Sequence, residues 1–158
     1  MAHREGYDAV VPAPFGRVGV RLREGRVVDI GFLPARARLR RSRDPVVRAV
    51  CAELGRYFAD PTHTPKVPLA LDGTPFQRRV WGLLRRIPSG RTASYGELAR
   101  RLRSSPRAVG GACRANPVPI VVPCHRVVSE AGLGGFMGRR SGPAMRIKEC
   151  LLAHERRR

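Results

Sequence analysis

The sequence predicts a mixed α/β (α+β) fold in two domains, and three observations support that prediction. Residues 7–34 are predicted to form strands, and within them Val18, Val20 and Leu22 alternate with Gly19 and Arg21, which is the two-residue period of a half-buried strand. Further along the chain, apolar residues recur at helical spacing in several capped segments. A segment rich in proline and threonine, residues 60–65, interrupts the helical part. We therefore expect a small antiparallel-sheet domain with one helix and a mostly helical domain, covering residues 1–72 and 73–158.

The first domain is expected to end in a helix. Glu24-Gly25 is typical of a hairpin turn, and an arginine-rich run follows the strands at residues 35–43. Such a run can contact phosphates but is more often a solvated loop. Asp44 before Pro45 predicts a helix start, because aspartate caps helices and proline fits the first helical position. The predicted buried face of this helix comprises Val46, Val50, Leu54, Tyr57 and Phe58.

Four helices are predicted in the second domain. Thr74–Gln77 and Ser94–Glu97 both have the capping-box pattern, and Ser105 before Pro106 marks another helix start. The two middle helices are short and joined by a tight turn, which predicts a helix-turn-helix. Trp81 is expected in the core. The final helix is predicted over residues 142–155, with Ile147, Cys150, Leu151 and His154 on one face.

The charge predicts a polyanionic partner. The chain of 158 residues carries a formal net charge of +19, with +6 on residues 1–70 and +13 on residues 71–158. Nucleic acid or an anionic membrane surface would satisfy such a balance. A general preference for arginine accounts for part of the charge, but it does not account for the asymmetry. The helix-turn-helix in the more basic half favours DNA.

The cysteine pattern indicates neither a disulfide framework nor a metal site. Cys51, Cys113, Cys124 and Cys150 include no Cys-x-x-Cys pair, and the four histidines are scattered. We expect no metal and no cofactor. The first residues contain no long apolar stretch, so neither a signal peptide nor a transmembrane helix is expected. A cytoplasmic, reducing location is expected, which would also keep a thiol free.

The second helix of the predicted helix-turn-helix is nearly free of large side chains. Gly110 and Gly111 are adjacent there and cost about 2 kcal/mol of helix propensity. Either another backbone packs closely against this helix, or the helix enters the minor groove of DNA, which is only ~6 Å wide. We favour the minor groove.

A stiff segment, residues 116–128, presents a thiol beside an imidazole. Its three prolines fix backbone dihedrals ahead of Cys124 and His125. An isolated cysteine in an apolar run is usually a small buried hydrophobe. The neighbouring histidine and the rigid approach favour a nucleophile instead.

This segment resembles the active-site signature of the 6-O-alkylguanine-DNA alkyltransferases, also called methylated-DNA–protein-cysteine methyltransferases. The similarity runs from Thr74 to Val128 and resumes in the final helix. It implies a ribonuclease-H-like first domain, helix-turn-helix binding in the minor groove, base flipping, and direct-reversal repair by one irreversible alkyl transfer. The implied partner is double-stranded DNA containing alkylated guanine. The protein itself is expected to be a monomer that can cluster along DNA.

The resemblance also implies individual roles. Cys124 would be the nucleophile and alkyl acceptor, His125 its base through a water, and Glu155 the group that orients His125. Tyr95 would contact the guanine and a phosphate, and Asn116 would brace the active-site turn. Arg107 would be the arginine finger. Further DNA contacts would come from Ser94, Ala108, Gly110, Gly111 and Arg114. The substrate pocket would be formed by Val127, Phe136, Met137 and Gly138.

The chain departs from the family pattern at two places. The interval from Tyr95 to Arg107 is about two residues short, so we expect a tighter turn between unchanged helices. Met137, Arg139 and Arg140 add bulk and charge after the pocket aromatic, which puts acceptance of larger alkyl groups in doubt. A damage-binding protein without transfer, which would carry tryptophan at the nucleophile position, and a Cys–His hydrolase unrelated to DNA are the alternatives.

Overall fold

The computed structural model describes residues 6–157 and confirms the mixed α/β class. The chain forms two compact units, one up to Leu71 and one from Asp72 onward. Among the described residues, no helix is both long and apolar enough to cross a membrane.

The first unit is an antiparallel sheet with one helix, as the sequence predicted. The strand order is β1-β2-β3, and the β2–β3 turn falls at Glu24 and Gly25. The inward residues of the sheet, such as Val18, Val20 and Ile30, are buried with Leu54 of the helix. The elements are β1 (Ala9–Ala13), β2 (Gly16–Arg23), β3 (Arg26–Leu33) and α1 (Pro45–Ala59).

One detail of α1 was predicted wrongly. Val46 is 39% exposed, whereas Val47 is 3% exposed. The reason is the phase of the helix, because Val47 lies three residues before Val50 and seven before Leu54, which places all three on one face. Val46 is turned about 100° away from that face.

The second unit contains four helices and a two-stranded parallel pairing. The elements are α2 (Pro75–Leu84), β4 (Ala93–Ser94), α3 (Tyr95–Leu102), α4 (Pro106–Arg114), β5 (Val127–Val128) and α5 (Pro143–Arg156). Both predicted capping boxes are present with both of their hydrogen bonds. The Ser105 hydroxyl accepts from the Ala108 amide and caps α4.

Trp81 lies in the core of this unit, as predicted. It is 1% exposed, and its Nε1 donates to the Ala112 carbonyl of α4 over 2.9 Å. This bond fixes α2 against α4. The turn between α3 and α4 is Arg103–Ser105, with Arg103 in the left-handed region at φ 53°.

Candidate functional site

A buried turn carries the chain from α4 to Cys124. The Val122 amide donates to the Val118 carbonyl over 2.9 Å, and the Cys124 amide donates to the Val122 carbonyl over 2.8 Å. Ile120 has φ 76°, which is uncommon for a β-branched residue and costs about 1–3 kcal/mol. Packing on all sides therefore holds a strained backbone immediately ahead of the cysteine.

Asn116 closes this turn from inside. Its Nδ2 donates to the Val122 carbonyl over 2.8 Å, and its Oδ1 accepts from the Val118 amide over 2.9 Å. The side chain is buried, so water does not compete for either bond. Asn116 thus links the end of α4 to the residues that precede Cys124.

Cys124 begins a short 3₁₀ turn, Cys124–Arg126, and is 4% exposed. Burial raises the pKa of its thiol to about 11, partly opposed by the Asn116 amide and the positive charge of Lys148. In the resting protein the group is therefore a thiol at neutral pH.

A buried carboxylate organises the rest of the 3₁₀ turn. Glu155 of α5 is 1% exposed, and its Oε2 lies 2.8 Å from Nε2 of the fully buried His125. Arg126 donates to the same carboxylate through Nε over 2.9 Å and through Nη2 over 2.8 Å. Its Nη1 also donates to the Ile87 carbonyl over 2.6 Å, which links the turn to the segment after α2.

The protonation states in this cluster follow from its contacts. Burial alone would raise the pKa of Glu155, but hydrogen bonds from His125 and Arg126 outweigh it and hold that pKa well below its usual range. Burial lowers the pKa of His125 despite the carboxylate. A neutral imidazole beside a carboxylate must donate through Nε2, so Nδ1 carries the lone pair. That Nδ1 is buried and has no hydrogen-bond partner within residues 6–157, so it is available as a proton acceptor.

The sequence did not identify Lys148, which is fully buried. Its Nζ donates to the carbonyls of Val127 over 2.7 Å, Leu133 over 2.6 Å and Gly135 over 2.8 Å. Burial lowers its pKa to about 8, opposed by Cys124 and Cys113. Three acceptors match the three protons of an ammonium group, so Lys148 fastens β5 and the following loop to α5.

The four residues that were predicted on one face of α5 differ in burial. Leu151 and His154 are buried, but Ile147 and Cys150 are intermediate. Lys148 and Glu155, seven residues apart, occupy the buried face instead. In the sequence, the only sign of the role of Lys148 is that a charged residue interrupts the apolar pattern of α5.

Tyr95 lies at the start of α3 beside the loop that Lys148 holds. Its hydroxyl donates to the Gly135 carbonyl over 3.4 Å, and burial raises its pKa to about 12, with smaller contributions from Cys113 and Cys124. A Cβ on Gly134, where φ is +71°, would lie 2.9 Å from the Tyr95 ring. Glycine at this position therefore lets the loop approach the ring.

The predicted pocket residues have different environments. Val127 and Phe136 are buried, whereas Met137 is intermediate and has φ 51°. A Cβ on Gly138 would lie 3.4 Å from Cδ of Arg114, so the Arg114 side chain covers this part of the loop.

The exposed side of α4 carries the predicted DNA-contact residues. Arg107, Gly111 and Arg114 are exposed, and Ala108 and Gly110 are intermediate. A Cβ on Gly111 would meet no described atom within 4 Å, and one on Gly110 would lie 4.0 Å from the Tyr95 ring. Close packing by another backbone of the described chain therefore does not explain the two glycines.

Ser94 has a local role. It is 6% exposed, and its hydroxyl accepts from the Glu97 amide over 3.0 Å as the cap of α3. A DNA contact by Ser94 stays a prediction. Across residues 6–157, no three side chains of the metal-binding types lie close enough together to hold a metal ion.

The depressed pKa of His125 predicts acid sensitivity. Below the ordinary histidine pKa of 6.5, His125 binds a proton in the unfolded chain but stays neutral when it is buried in the folded chain. Acid therefore favours unfolding. We expect the free energy of unfolding to fall between pH 7 and 5 less steeply in His125→Gln than in the wild type. Urea titrations across this range measure the difference. Equal slopes for His125→Gln and the wild type would contradict the prediction.

Replacement of Lys148 should loosen the loop after β5. Lys148→Met removes the Nζ donor from three carbonyls, of which the Gly135 carbonyl still accepts from the Tyr95 hydroxyl, and an unsatisfied buried acceptor costs about 1–3 kcal/mol. Because removal of a buried charge offsets part of that cost, we expect a net loss of about 2–4 kcal/mol in the free energy of unfolding. The matched control is Arg146→Met on the exposed side of α5. An equal change in both variants would show that the ammonium does not fasten the loop.

Three comparisons relate the chain to known proteins. The family model described as the DNA-binding domain of 6-O-methylguanine DNA methyltransferase matches residues 75–157. The chain is 42% identical over 135 residues to a methylated-DNA–protein-cysteine methyltransferase of Mycolicibacterium paratuberculosis, covering 84% of this chain and 78% of the relative. A protein of the same name from Methanosarcina acetivorans is 34% identical, with 94% and 97% covered.

A solved structure agrees with these sequence matches. The crystal structure of Mycobacterium tuberculosis OGT in complex with DNA superposes with a TM-score of 0.77 at 34% identity, covering 93% of this chain and 91% of that one. Sequence and structure thus lead to the same assignment, and the chain belongs to the 6-O-methylguanine-DNA methyltransferase family.

Proposed function

We propose that the chain removes the alkyl group from 6-O-alkylguanine in double-stranded DNA and keeps it on Cys124. Family membership establishes a methylated-DNA–protein-cysteine methyltransferase that repairs DNA alkylation by direct reversal. The observation that supports the residue assignment is a buried thiol next to a histidine whose Nδ1 is unpaired and whose Nε2 faces a carboxylate. Cys124, His125 and Glu155 therefore fit the roles of nucleophile, base and orienting group.

The reaction is a displacement at the alkyl carbon. The Cys124 sulfur forms a bond to that carbon while the bond from carbon to the guanine oxygen breaks, and the electron pair leaves with the guanine. The thiol proton passes through a water to Nδ1 of His125. Tyr95 donates from its hydroxyl to a guanine ring nitrogen, which makes the base a better leaving group.

Glu155 stabilises the charge that this proton transfer creates. Its carboxylate lies 2.8 Å from Nε2, so an imidazolium would form beside a fixed negative charge. The fork from Arg126 prevents the carboxylate from turning away. Lys148 places a positive charge near the sulfur, which favours the thiolate as it forms.

DNA binding is assigned to α3 and α4 as a helix-turn-helix. The exposed face of α4 carries little bulk, which suits the minor groove. The reactive carbon lies inside the base stack of a duplex, so the nucleotide must rotate out of the helix. Arg107, exposed in the first turn of α4, would fill the vacated space.

We further propose a single turnover by a cytoplasmic monomer that can cluster along DNA. The product is a thioether, and unlike an acyl intermediate it has no activated bond for water to break. Alkylation also adds a carbon group to a closely packed turn, and overpacking of this kind costs about 1–3 kcal/mol. The alkylated protein should therefore be less stable than the resting one.

Removal of the nucleophile separates transfer from damage binding. Cys124→Ser should abolish methyl transfer and leave DNA affinity nearly unchanged, because the thiol is only 4% exposed. Mass spectrometry after mixing with methylated duplex should show a methyl-sized gain on the peptide carrying Cys124 in the wild type, at no more than one group per protein. The matched control Cys51→Ser should react normally. Transfer by the Cys124→Ser protein would refute the assignment.

The proposed arginine finger has a test based on two substrates. Arg107→Ala should slow repair of duplex DNA about tenfold or more, since holding a base outside the duplex costs a few kcal/mol. Reaction with the free modified base needs no flipping and should be affected much less. Arg101→Ala, an exposed arginine of α3, is the control for loss of charge. Equal losses on the two substrates would exclude a flipping role for Arg107.

A further inference from the structure

The first unit carries a concentrated positive surface. Five of the eight residues from 36 to 43 are arginines, and no acidic residue occurs between residues 30 and 43. All five arginines are exposed. The sequence pattern alone did not decide between a phosphate contact and a solvated loop.

The backbone of this run is anchored to the sheet and to α1. Arg40 exchanges two backbone hydrogen bonds with Val10 of β1, at 3.0 and 3.1 Å, and its Nη1 donates to the Tyr7 carbonyl over 2.9 Å. At the other end, the Ser42 hydroxyl accepts from the Asp44 amide over 3.1 Å, and Asp44 caps α1. The arginines around Arg40 are therefore presented from a positioned backbone, which lowers the entropy cost of binding.

Four side chains of the run have no compensating charge. Within residues 6–157, the side chains of Arg36, Arg38, Arg41 and Arg43 make no ion pair and no hydrogen bond, and we call these four residues the arginine patch. Several acidic groups elsewhere in the described part of this unit are already engaged. Glu53 accepts from the Lys66 amide and contacts His63 and Arg56, and Asp8 accepts from the Leu22 amide.

We propose that the arginine patch binds the phosphate backbone of double-stranded DNA, as a contact separate from α4. Guanidinium groups match phosphate oxygens with two parallel hydrogen bonds and stay charged at any physiological pH. Contacts of this type are independent of sequence and of damage, so the patch would add affinity for undamaged duplex. The inference rests on the proposed DNA-directed function only for its choice of ligand.

The salt dependence of binding to an unmodified duplex tests this inference. Each phosphate contact contributes about 0.9 to the slope of log affinity against log salt. The full chain with Arg36, Arg38 and Arg41 changed to Gln should therefore lose about 2–3 in slope relative to the wild type. Arg40 and Arg43 stay unchanged, because Arg40 anchors the run and Arg43 adjoins the cap of α1.

A control variant removes the same charge elsewhere in the unit. Arg23, Arg26 and Arg56 are exposed, and their change to Gln should alter the slope by less than about 1. Equal slopes for the two variants, whether both lowered or both unchanged, would overturn the inference. Methyl transfer from the free modified base, measured on both variants, should match the wild type, and its loss would count against the proposed alkyl transfer and not against the patch.

A second measurement needs no variant. Polyglutamate with the same number of charges should compete poorly with the duplex for the wild-type protein, because carboxylates of a flexible chain do not reproduce the spacing of phosphates on DNA. Equally effective competition would identify a surface for acidic protein segments and would overturn the assignment to DNA.

Discussion

The carboxylate of Glu155 is the constraint on which the active-site turn depends. It accepts from His125 and twice from Arg126, each over 2.8–2.9 Å, in an environment closed to water. A buried ion pair gains stability only when its geometry and its remaining hydrogen bonds are satisfied. Here the same bonds that satisfy the carboxylate fix the tautomer of His125. One set of contacts therefore stabilises the turn and leaves Nδ1 of His125 unpaired, as the proposed proton transfer requires.

A second buried charge on the same helix complements the first. Lys148 lies two turns before Glu155 on α5, so both project from one helix face. Glu155 holds the 3₁₀ turn that contains Cys124, and Lys148 holds the loop that follows β5. Within residues 6–157, Lys148 and Glu155 make no hydrogen bond or ion pair with each other, and each is matched by separate partners. Helix α5 therefore positions both the 3₁₀ turn that contains Cys124 and the loop that follows β5.

Local signals in the sequence predicted much of this arrangement. Caps such as Thr74 and Ser105 depend on residues three apart, and the Cys124-His125 pair is visible directly in the chain. Lys148 could not be found this way, because its acceptors are backbone carbonyls 13–21 residues away. The positive φ of Ile120 was equally hidden, since the residue type disfavours it and only surrounding packing imposes it. The burial of Lys148 and the backbone of Ile120 are therefore tertiary in origin.

Burial of the thiol has a chemical consequence beyond packing. With a pKa of about 11, Cys124 is protonated at neutral pH in the resting protein. Oxidants and other electrophiles therefore encounter the less reactive thiol instead of the thiolate. Attack requires a proton acceptor in place, and Nδ1 of His125 is the unpaired candidate beside it in the chain. In the proposed single-turnover reaction, a nucleophile that is consumed by one transfer benefits more from such selectivity than from intrinsic reactivity. The carboxylate of Glu155 raises the pKa of His125 against the larger effect of burial, so in the proposed mechanism it favours proton transfer to a fully buried imidazole.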